Sequence, residues 1–115
     1  MNYGFIYCLE NRAFPGIYKV GMTERSPSTR CDELSSSTSI PHPFEILFYM
    51  EVESARTVEA MAFSLFDAVR VNASREFFKL DPIELYESLK QYAMTDYVSP
   101  DFLLMQHRKV DEVSA

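Results

Sequence analysis

The sequence predicts a single α+β domain with the element order β-β-α-β-α-β-α. Two runs rich in aromatic and β-branched residues flank a Pro-Gly loop near the start, which reads as a hairpin. An apolar stripe at helical spacing occupies the middle of the chain. Two further sites pair a capping residue with proline, Ser26-Pro27 and Asp81-Pro82, and such pairs mark helix starts.

The first strand is expected over residues 3–9 and the second over 17–22, joined by the loop 10–16. Ser26 caps a short helix that begins at Pro27 and runs to about Ser35. The polar, proline-punctuated connection 35–43 then leads into the apolar stretch 44–52, a third strand expected to be the sheet's central partner. Ser54 caps the strongest helix, in which Val58, Met61, Ala62, Leu65, Phe66 and Val69 fall on one stripe. Residues 76–80 suggest a short strand, and Asp81-Pro82 opens a last helix to about Met94. The domain is therefore expected over residues 1–94. Residues 95–115 are polar apart from 102–105 and read as a tail or a docking arm.

A chain of 115 residues with 47% hydrophobic content suffices for one core and is too short for two ordinary ones. Nine Phe and seven Tyr, with no Trp, supply that core with large rings. The two cysteines, Cys8 and Cys31, lie in apolar segments without metal-ligand spacing, so reduced, packed thiols and a cytoplasmic location are expected. No signal-peptide pattern and no membrane-length apolar run is visible. The net charge of −6 argues against a protein that coats nucleic acid through its overall field. Residues 1–37 are nonetheless balanced, with Arg12, Lys19, Arg25 and Arg30 against Glu10, Glu24, Asp32 and Glu33, which leaves room for a local basic face.

Six pieces in order carry a family resemblance. They are Gly4-Phe5-Ile6-Tyr7; residues 16–23 with Lys19-Val20-Gly21; Arg30 with Glu33-Leu34-Ser35; residues 40–45; Glu59; and Arg70-Val71-Asn72 with Arg75-Glu76-Phe77-Phe78. Together they resemble the GIY-YIG nuclease superfamily, in its phage-type branch of phage T5 open-reading-frame and meiotically up-regulated gene domains. The resemblance implies a central three-stranded antiparallel sheet flanked by helices, a divalent metal (Mg²⁺ or Mn²⁺) held chiefly by a helix carboxylate, and DNA as substrate. It aligns Tyr7 with the first-motif tyrosine, a general base or an orienter of the attacking water. Lys19 or Tyr18 aligns with the second-motif tyrosine, and Lys19 is favoured because Val20-Gly21 follows it directly. Arg30 aligns with the catalytic arginine and Glu59 with the metal ligand. The branch often carries a histidine four residues after that glutamate, where this chain has Phe63.

The residue chemistry supports the same reading. Phosphodiester hydrolysis builds charge on non-bridging oxygens, which a divalent ion and a guanidinium stabilise together, while the water needs an acceptor for its proton. Glu59 and Arg30 suit the first two roles. Tyr7, with an unperturbed pKa of about 10, becomes a base only if a nearby cation lowers it. Each residue also has a plainer role: Arg30 can pair with Glu33 at i+3, Glu59 with a base such as Arg56, and Tyr7 can simply pack. His42 in its loop is a nucleic-acid contact, able to ligate or shuttle protons, or is merely solvated. Glu76 is a further strand-edge carboxylate, and Arg25, Arg70 and Arg75 are phosphate contacts or surface charges. A domain of this fold that binds nucleic acid without cutting, or that engages a protein through its acidic surface or tail, is the alternative function.

Overall fold

The structure, a computed structural model, describes residues 3–37, 39–72 and 76–114. It contains β1 (Gly4–Asn11), β2 (Tyr18–Thr23), α1 (Pro27–Ser35), β3 (Phe44–Val52), α2 (Ala55–Leu65), β4 (Phe77–Phe78), α3 (Pro82–Leu89), β5 (Thr95–Val98) and α4 (Pro100–Ser114). The α+β class holds. The sheet, however, has five strands in the order β4-β2-β1-β3-β5, not three, and its paired neighbours are all antiparallel. β1 is central rather than β3, because it pairs along its length with both β2 and β3.

Strand alternation sorts β1 into two faces. Ile6 and Cys8 join Val20, Phe48 and Met50 in the larger core, which α2, α3 and α4 cover with Val58, Ala62, Leu85, Leu89 and Phe102. Tyr7 and Leu9 face the other way, under Cys31 of α1 and beside Phe44. The two cysteines are therefore buried free thiols on opposite faces of the sheet. Burial pushes the Cys8 thiol pKa far up, so it stays protonated and inert.

Several local expectations are refined. Helix α2 stops at Leu65, so its core stripe is Ala55, Val58, Ala62 and Phe66, while Leu65 and Val69 are exposed. Ser26 and Ser54 occupy the N-cap positions without a side-chain capping bond, whereas Asp81 Oδ1 accepts from the Ile83 amide at 2.9 Å. Helix α3 ends at Leu89 instead of about Met94, because the chain bends through a short 3-10 turn and the Met94 amide donates to Glu51 O at 2.8 Å. That bond starts β5 on the free edge of β3. Residues 95–114, for which the sequence offers a tail or a docking arm, thus form β5 and α4, and Phe102 is fully buried. No helix among the described residues is long and apolar enough to cross a membrane.

The junction of α4 with the sheet carries a pH signature. Glu10, at the end of β1, has its pKa pushed up to about 7, first by burial and then by the charges of Asp101 on α4 and Glu45 on β3. A carboxyl raised in this way stabilises the fold fully below its unfolded pKa, and that stability is lost as pH rises through the folded value. Thermal stability is therefore expected to fall between pH 5 and pH 8. Glu10→Gln should remove most of that fall and raise Tm at pH 8 by roughly 2–5 °C. Thermal melts at both pH values check this, and an unchanged slope in the variant would refute it.

Candidate functional site

The site forms where β4 stops short on the edge of β2. Two strand residues and the bond from the Val20 amide to Glu76 O, at 3.0 Å, hold that edge. Strand geometry aims the amide two residues further on, that of Met22, at the same side, near enough to the Glu59 carboxylate of α2 to favour its charged form. Glu59 and Glu76 are near enough for their charges to interact. The Glu59 pKa is raised by desolvation first and by the Glu76 charge second, with the Met22 amide, Arg56 and Arg70 opposing.

Cations frame this carboxylate pair. Lys19 Nζ lies 3.6 Å from Glu76 Oε2, its side chain only 13% exposed, and sits 5.0 Å over the Phe77 ring. Arg70 lies with its guanidinium 4.9 Å from the Phe63 ring centre and 5.6 Å from that of Phe78. Phe63, at the position of the expected histidine, is therefore an apolar platform for a cation.

Tyr7 is the floor. It pairs across β1 and β2 with Gly21 and is 2% exposed. Arg30 of α1 is close enough to favour the ionised hydroxyl, yet burial outweighs it and the Tyr7 pKa is raised, with the Glu76 and Glu59 charges adding to the rise. The hydroxyl is therefore a protonated phenol at neutral pH. Arg30 also lies 3.7 Å from Glu33, whose carboxylate is held at 2.6 and 3.0 Å by Arg25, so both plain and functional partners of Arg30 are present at once.

Gly21 makes this convergence possible. A Cβ there would stand 2.5 Å from the Tyr7 hydroxyl oxygen and 3.1 Å from Glu76 Oε2. Gly21→Ala must displace both groups, and we expect it to cost about 1–3 kcal/mol in urea denaturation. A variant as stable as the wild type would show that the tyrosine is not packed against this glycine.

The structure thus brings Tyr7, Lys19, Arg30, Glu59 and Arg70 together and adds Glu76. The sequence marks Glu76 only as a strand-edge carboxylate, and its place beside Glu59 follows from β2–β4 register. Other sequence candidates lie elsewhere. Tyr18 alternates onto the opposite face, against the larger core and near Glu10 and Asp81. His42 is exposed at the far end of β1, where its carbonyl accepts from Asn11 Nδ2 at 2.7 Å. Asn11 lies four residues from Tyr7, about 13 Å along an extended strand. Arg25 is committed to Glu33 on the surface, and Arg75 lies outside the described residues.

Two carboxylates at a partly desolvated edge are a donor set suited to a hard dication such as Mg²⁺, which is commonly held by one or two carboxylates and keeps several waters. A three-acid group among the described residues, Glu10, Glu45 and Asp101, lies instead at the other end of β1. Among the described residues it has no ion pair of the kind that Lys19 makes with Glu76.

Residues 4–93 match the family model described as T5orf172 domain. No curated protein and no solved structure matches the chain.

Proposed function

Because the chain belongs to the T5orf172 domain family, we propose that it is a metal-dependent endonuclease of GIY-YIG type that hydrolyses DNA phosphodiester bonds. The observation that carries this reading is the convergence of the Glu59 and Glu76 carboxylates with the Arg30–Tyr7 pair at one strand edge. Glu59, with Glu76 beside it, would hold the divalent ion. When bound, that ion supplies Lewis-acid stabilisation of the phosphoryl oxygens.

The chain's own side chains account for the rest. Arg30 neutralises charge that builds on the non-bridging oxygens of the scissile phosphate. Of the two roles open to Tyr7, its raised pKa favours orienting the water over taking its proton. Glu76, next to that hydroxyl, accepts the proton as the water oxygen bonds to phosphorus, and the departing strand oxygen takes a proton from solvent. Lys19 keeps Glu76 in place and adds positive charge at the same edge. Arg70, resting on two rings, offers a preset phosphate contact that costs little ordering when the strand binds.

A second reading rests on Phe63. With a ring where the branch often has a histidine, the domain would bind nucleic acid without cutting it. Supercoiled plasmid separates the two readings. Conversion to nicked or linear DNA with Mg²⁺ or Mn²⁺, and none with excess chelator, supports the endonuclease. Salt-sensitive binding without conversion moves the function to the second reading.

A further inference from the structure

One row of residues crosses four strands of the sheet through the site. Gly21, Tyr7, Tyr49 and Tyr97 are consecutive partners on β2, β1, β3 and β5 and so share a face. Tyr49 and Tyr97 are stacked, with ring centres 5.3 Å apart and planes 25° apart, and Phe5 braces Tyr49 edge-on at 5.8 Å. Tyr97 remains 43% exposed. Beside them opens a groove of about 400 Å³ between α1 and the β3–β5 edge, lined also by Ser28, Asp32, Glu45 and Ile46.

We propose that this groove receives an unpaired nucleobase from the strand whose phosphate lies at Tyr7, so that the protein acts on single-stranded or locally unpaired DNA. The inference rests on the nuclease reading above. Three features select this occupant. At about 4.8 Å per strand, Tyr97 lies roughly 10 Å from Tyr7, within one nucleotide's reach of the scissile phosphate. A ring resting on a tyrosine pair gains stacking that every base can supply. The walls carry the Asp32 carboxylate and no Lys or Arg, so they disfavour a phosphate but accept a hydrogen bond from a base's amino edge. Phosphate then lies toward Lys19 and Arg30 and base toward the tyrosine pair. A base kept inside a duplex stack cannot reach the groove, and extruding it costs free energy that an unpaired base does not.

The test uses the full chain carrying Glu59→Gln, which leaves the groove intact while withholding cleavage. Its probe is a 2-aminopurine-containing deoxyoligonucleotide, single-stranded or annealed to its complement. The single strand should bind about tenfold more tightly than the duplex, with quenching of the 2-aminopurine. Tyr97→Ala should remove about that factor for the single strand only, and Tyr97→Phe should retain it. Equal binding of both forms, or single-strand binding unmoved by Tyr97→Ala, overturns the proposal while plasmid cleavage by the wild type stands. No binding of either form together with no plasmid cleavage defeats the nuclease reading itself.

Discussion

Phe102→Ala is expected to destabilise the protein by about 3–5 kcal/mol, the range for deleting a fully buried aromatic side chain. Phe102 is 0% exposed and lies between Phe48 of β3 and Tyr86 of α3, each ring centre 5.2 Å away. It is the main anchor of α4. Ser99 prepares the anchor: its amide donates to Leu47 O at 2.9 Å and its hydroxyl oxygen accepts from the Phe102 amide at 3.1 Å. Urea denaturation monitored by circular dichroism gives the cost. A loss under about 1 kcal/mol would mean that α4 lies on the surface without completing the core.

That anchor was hard to read from sequence for a physical reason. Among the described residues of α4, Phe102 and, in part, Met105 face the core, while Leu103, Leu104 and Val110 are exposed, so no clean stripe emerges. Residues 95–98 form an edge strand whose side chains are mostly exposed, and such a strand needs no apolar alternation. The hairpin, α1, β3 and the start of α2 were legible, because their turns, proline positions and burial patterns are local properties. Strand number was not, because the pairing of β5 with β3 depends on contacts almost fifty residues apart.

The largest expected effect on activity is that of Glu59→Ala, a loss of metal-dependent cleavage on the order of 10²–10³-fold or more. The carboxylate feels the Glu76 charge and the Met22 amide, so in the proposed reading its removal leaves Glu76 alone of this pair to hold a cation. The substitution relieves a desolvated charge, since the Glu59 pKa is raised by burial and by Glu76. Stability should therefore hold or rise while activity disappears, a pairing that a merely structural glutamate would not give.

The site was partly legible for the same kind of reason as the fold. Tyr7, Arg30 and Glu59 each sit on an element whose direction the sequence predicts, and alternation decides Lys19 over Tyr18 once β2 is paired with β1. Glu76 acquires its place through the β2–β4 register, and Arg70 through its backbone bridge to Phe78 and the Phe63 and Phe78 rings beneath it. His42 lies at the far end of β1 from the other candidates, a placement that a loop's sequence does not reveal.

In the proposed function, the Glu59–Glu76 edge holds the cation on which phosphodiester cleavage depends. The most direct test is the nicking rate of supercoiled plasmid, measured against Mg²⁺ concentration for wild type and Glu59→Ala, with folding of both confirmed. The wild type should show a rate that saturates with Mg²⁺ and vanishes with chelator, and Glu59→Ala should stay at background throughout. A folded wild type that never nicks, or a Glu59→Ala protein that nicks at the wild-type rate, would contradict it.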